Sequence, residues 1–149
     1  MIKKIFFLAM LTTALFSNSF NVNSNIGSFE LADQFEEKHT VNSDVKTMIV
    51  SFEKDTSAGI NEFLSTKEKG FLEANNTVFI ADISGMPSVI SYLFALIKMK
   101  KYNYNVLLIE EEGDTRFSKK EEKLTVYTLD NGVVTNIEYV EIKDIPTIF

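Results

Sequence analysis

The chain has 149 residues, 45% of them hydrophobic and 24% charged, a balance that fits one globular domain and excludes a disordered chain. Its net charge of −6 and pI near 4.8 argue against a basic nucleic-acid-binding face and against attraction to an anionic membrane. With no cysteine and one histidine, His39, the chain has no disulfide, no thiol chemistry, no thiolate metal site and no site needing two imidazoles.

Residues 1–19, MIKKIFFLAMLTTALFSNS, have the form of a secretory signal peptide. Lys3 and Lys4 make a basic start, Ile5 to Phe16 is an apolar run, and Ser17 and Ser19 are small residues before a cut near Phe20. The run is shorter than the roughly 20 residues that span a bilayer, so cleavage and a periplasmic product are expected, with no stable membrane insertion. Loss of Lys3 and Lys4 takes 15 basic residues to 13 against 21 acidic ones, a net charge of −8. Residues 20–28, rich in Asn and Ser, are expected to be a flexible lead, and 29–149 a single domain.

Phe29 to Phe35 alternates, with Phe29, Leu31 and Asp33 on one side. A turn at Glu36-Glu37-Lys38 leads into His39-Thr40-Val41, which together predict a small hairpin. His39 is expected as an exposed strand residue with no second ligand beside it. Thr47 to Phe52 (TMIVSF) is the first core strand. In the turn that follows, Asp55, Thr56 or Ser57 can each cap a helix. That helix carries Ile60, Phe63, Leu64 and Phe71 on one stripe and ends near Gly70 and Asn75-Asn76.

Thr77 to Ile83 (TVFIADI) is a second buried strand. Asp82 is expected to cap the next turn rather than serve as a cleft carboxylate, with Ser84 to Pro87 opening a helix. From Ser88 to Met99 that helix is apolar nearly all round, which predicts burial between the sheet and another layer. Lys98, Lys100 and Lys101 suit its negative dipole end. Asn105 to Glu110 is a third strand, and the acidic run Glu111 to Asp114 lacks the ligand spacing of a calcium loop. Leu124 to Leu129 and Val133 to Val140 flank Asp130-Asn131-Gly132, a hairpin signal. A short tail, Ile142 to Phe149, is expected to form a helical turn interrupted by Pro146.

The order of elements resembles the extended thioredoxin-like fold of periplasmic thioredoxins and peroxiredoxin-like proteins. Phe29-Glu30-Leu31-Ala32-Asp33-Gln34 resembles their F-x-L-x-D opening. Val106-Leu107-Leu108 with Gly113 resembles their inserted "VLLD-x-x-G" strand, and Leu129 to Val133 their final "D-x-x-G-x-V" turn. Thr56-Ser57-Ala58 is similar to the cysteine-free turn of a small bacterial periplasmic family of unassigned function. The resemblance implies an α/β three-layer sandwich, with a mixed central sheet, helices on both faces and an N-terminal β-hairpin.

In the redox members a C-x-x-C pair opens the helix after the first core strand. The matching positions are Ser57 and Ile60, and Lys123-Leu124-Thr125 holds no counterpart of their cis-proline. Thiol–disulfide and peroxidase activity is therefore excluded, and no cofactor or metal is expected. The expected role is a non-catalytic periplasmic binding or interaction module. Its partner is a protein or small ligand, touched through Asp55, Thr56 and Ser57. The alternative is a small-ligand enzyme of glutathione-transferase type, with Ser57 at the helix N-terminus holding an anion.

Overall fold

Five apolar runs pair into one mixed sheet in the computed structural model, which describes residues 19–149. Nearly all of the expected signal peptide lies outside the described residues. The central strands β3 (Thr47–Ser51), β4 (Thr77–Asp82) and β5 (Leu107–Ile109) are parallel. Strands β6 (Leu124–Asp130) and β7 (Val133–Val140) extend the sheet antiparallel, in the order β5-β4-β3-β6-β7. Asn131 and Gly132, both at positive φ (+49° and +82°), make the tight β6–β7 turn expected of Asn-Gly. The predicted N-terminal hairpin forms from β1 (Phe29–Ala32) and β2 (Lys38–Val41).

Three helices connect these strands: α1 (Lys54–Ser65), the single turn α2 (Phe71–Ala74) and α3 (Val89–Met99). The steps from β3 to β4 and from β4 to β5 run toward the same edge. Right-handed crossovers in one direction put their helices on one face of the sheet. The buried side chains follow that rule. Ile60, Leu64, Leu72 and Leu96 share a core with Ile49, Phe79, Ala81 and Leu108, and Ile145 of the C-terminal 3-10 helix (Ile142–Ile148) joins them. The opposite face presents Met48, Val50, Ile80, Leu107 and Tyr127 to Phe20, Ile26, Val41 and Phe117. There are three layers, but helices cover one face rather than both as expected. The third layer is the hairpin and the segment before it.

That segment is not the flexible lead its composition implied. Phe20 and Ile26 are 4% and 6% exposed, and the Phe20 ring sits 5.4 Å from Phe117 and 5.8 Å from Phe29. The Phe20 amide donates to the Arg116 carbonyl at 2.8 Å, and Asn23 and Ser24 exchange backbone bonds with Val134. Two apolar side chains among the Asn and Ser residues close the sheet's second face.

Helix α1 starts earlier than predicted, with Glu53 at its N-cap and no side-chain cap. It stops at Ser65, and Gly70, at φ +90°, separates it from α2. Gly59 lets the C-terminal 3-10 helix approach α1: a β-carbon there would lie 2.6 Å from Ile142 Cγ2. Asp82 Oδ1 does close a turn, accepting from the Ser84 amide and hydroxyl, but α3 begins beyond Pro87 with Ser88 as its cap. The expected second covering of α3 is missing among the described residues. Leu96 alone of its residues is buried, while Val89, Ile90, Leu93, Phe94 and Ile97 are 50–74% exposed.

Replacing Phe20 with Ala removes the ring that closes the second face, so Phe20→Ala should cost about 3 kcal/mol or more. Urea denaturation of both proteins measures this; equal midpoints would show that the segment contributes nothing to the core.

Candidate functional site

The turn after β3 lies at the carboxyl ends of the parallel strands, where open α/β sheets bind ligands. Its hydroxyls form a chain. Ser57 Oγ lies 2.6 Å from Ser51 Oγ, which lies 2.8 Å from Thr56 Oγ1, and Thr56 donates to the Glu53 carbonyl at 3.0 Å. Donation in one direction, from Ser57 through Ser51 and Thr56 to that carbonyl, satisfies every member. Ser51 is fully buried and Thr56 is 1% exposed.

This arrangement sorts the three predicted contact residues. Asp55 is exposed, Ser57 is half-buried with its hydroxyl aimed inward at Ser51, and Thr56 faces the interior. Thr56 is therefore part of the fold rather than of a contact surface. Ser57 is not a capping residue either: its amide already donates to the Glu53 carbonyl at 3.0 Å as part of α1. Ile60, in the second of the two positions matched to cysteines, is wholly buried in the helical core.

Across from this turn is the loop preceding β6. Glu53 carboxylate oxygens accept from the Glu122 amide at 3.2 and 3.3 Å, bridging the start of α1 to that loop. Glu122 has φ +61°, a left-handed geometry that costs a non-glycine residue some strain. Thr125 is fully buried and donates to the Ser118 carbonyl at 2.7 Å. The site thus offers neutral hydroxyls, the Asp55 carboxylate and a bridged Glu53. It can form hydrogen bonds.

His39 is on the hairpin and does have a partner, contrary to the sequence expectation. Its Nε2 is 2.6 Å from Asp33 Oδ2, while Asp33 Oδ1 accepts from the Phe35 and Glu37 amides at 2.8 and 3.0 Å. Asp33 is 2% exposed. Burial pushes its pKa up, but the bonds from His39 and the two amides outweigh that and hold the carboxyl below its ordinary 3.8. Glu37 brings a second carboxylate near the pair, so Asp33, Glu37 and His39 offer ligand atoms within 4.8 Å of one another. Both Asp33 oxygens are already engaged, Oδ1 by the turn amides and Oδ2 by His39. The hairpin register makes the pair: with Leu31 opposite His39, Asp33 falls diagonal to the imidazole on the same face.

No protein-family model matches the chain, and no curated protein sequence matches it either. Solved structures do. Peroxidoxin BcpB from Mycobacterium tuberculosis superposes with a TM-score of 0.55 at 9% identity, over 86% of this chain and 92% of that one. A SCO1/SenC family lipoprotein from Bacillus anthracis gives 0.52 at 12% identity, over 87% and 95%. The thioredoxin domain of a thiol-disulfide oxidoreductase from Bacteroides vulgatus gives 0.50 at 12%, over 80% and 89%. The chain has the thioredoxin-like fold, and identities this low carry the fold alone.

Because the folded pKa of Asp33 lies below its unfolded value, its contribution is complete above about pH 4 and is lost as pH falls through the folded pKa. Asp33→Asn should therefore lower stability at pH 7, and its deficit should shrink as the pH falls below 3.8. Thermal unfolding across that range checks it; a deficit independent of pH sinks the assignment.

Proposed function

We propose that this chain is an exported, non-redox binding or interaction module that uses a thioredoxin-like scaffold to present the turn after β3 to a protein partner. One observation carries the reading. On a scaffold whose sheet and helical core are complete, the two positions of the redox pair hold Ser57, tied down by Ser51, and Ile60, buried in the core. A thiol–disulfide cycle needs two cysteine thiols, and the chain has no cysteine.

The face offered to a partner is made by Lys54, Asp55 and Ala58, all exposed, with Ser57 beside them. Thr56 supports this face from within. The alternative use of Ser57 as an anion-holding hydroxyl finds little support, since both its amide and its hydroxyl are already committed inside the fold. Export rests on the basic start, apolar run and small residues of 1–19.

In a strain producing the chain, the exported protein should have a mass that places its N-terminus near Phe20; an intact residue 1 in the envelope fraction contradicts this. Asp55→Arg with Ala58→Arg should cut photo-crosslinking of a periplasmic partner through this face about tenfold. Stability should change by no more than about 0.5 kcal/mol, as at other exposed positions. Undiminished crosslinking would move the contact surface elsewhere, and a melting shift with glutathione would favour the ligand-binding alternative.

A further inference from the structure

Helix α3 carries a surface that the described residues do not cover. Val89, Leu93 and Ile97 fall in one row at intervals of four residues, with Ile90 and Phe94 in the adjoining row. All five stand 50–74% exposed. Together they leave on the order of 500 Å² of contiguous apolar surface open, the range in which a patch on a soluble protein marks a docking surface. Phe35 is 46% exposed on the hairpin turn, which Gln34 ties to the end of α3 through the Met99 carbonyl.

The two ends of this patch carry opposite charge. Lys98, Lys100 and Lys101 are all exposed at the C-terminal end of α3. At the N-terminal half, Tyr92 donates to Glu110 at 2.6 Å, which brings the exposed run Glu110-Glu111-Glu112 beside the first turns of the helix. The bond to Glu110, partial burial and the negative charges of Glu110 and, least, Glu36 on the hairpin raise the Tyr92 pKa to about 12.

We propose that α3 packs against α3 of a second copy of this chain, antiparallel, about a two-fold axis near Phe94. Antiparallel pairing sets each lysine end against the partner's glutamate end, and the apolar rows meet between them. A two-fold interface requires such self-complementarity, in which one patch satisfies itself on rotation. The five side chains of both copies would together cover about 1,000 Å², the lower bound of a specific interface, before the charged rim is counted. A lipid surface fits less well, because the patch is acidic at one end and the chain carries a net charge of −6.

Sedimentation equilibrium of the purified protein should give a reversible dimer. Phe94→Glu should weaken it at least about tenfold while leaving the melting temperature of the monomer unchanged, since the ring is 68% exposed. Charge reversal separates this geometry from simple stickiness. Lys98→Glu with Lys101→Glu should weaken the dimer, and adding Glu110→Lys with Glu111→Lys should restore it. A monomer at all concentrations, a dimer indifferent to Phe94→Glu, or reversals that never compensate would each overturn the proposal. So would a monomer that binds zwitterionic phospholipid vesicles through Phe94.

Discussion

A sheet with apolar side chains on both faces has to be covered twice, and the chirality of the crossovers decides what is available to cover it. Here β3, β4 and β5 step in one direction, so α1, α2 and α3 all fall on one side. The other side, with Met48, Val50, Ile80 and Tyr127, would be left to water. The N-terminal segment and the hairpin close it, and this explains why Phe20 is as deeply buried as the strands it covers. Gln34, fully buried, fastens the hairpin by donating to the Met99 and Tyr104 carbonyls and accepting from the Val106 amide. A buried amide with all these bonds satisfied gives the hairpin a single docking position.

The same economy applies at the turn after β3. A strand end over a parallel sheet exposes polar backbone that must be satisfied, and in this chain small hydroxyls do it. Ser51, Thr56 and Ser57 bond to one another and to the Glu53 carbonyl, while the Glu53 carboxylate reaches across to Glu122. The side chains at this strand-to-helix turn hold the turn together. What faces outward there is Lys54, Asp55 and Ala58.

Helix α3 is the departure from this economy. Its mean composition is that of a buried helix, yet one row of residues touches the sheet side and the rest faces outward. Burial of such side chains is worth about 25 cal/mol per Å² of apolar surface, which is why an uncovered patch of this size points to an interface.

The strands, their order and the Asn131-Gly132 hairpin were legible in the sequence, because each rests on local pattern: β-branched apolar runs, and a dipeptide that tolerates positive φ. The lack of any thiol chemistry was legible too, since it follows from counting cysteines. Tertiary structure alone decided the rest. Periodicity cannot report which face of the sheet a helix takes, so helices on both faces was a natural but incorrect expectation. Asn and Ser around Phe20 and Ile26 disguised a segment whose burial depends on a surface created only when the sheet forms. An Asp33–His39 pair six residues apart needs the hairpin register before it can exist. The apolar sequence of α3 specified that the helix wants covering. Only the folded chain shows that nothing among the described residues covers it, because the sheet has one helical face and α3 reaches it with a single row.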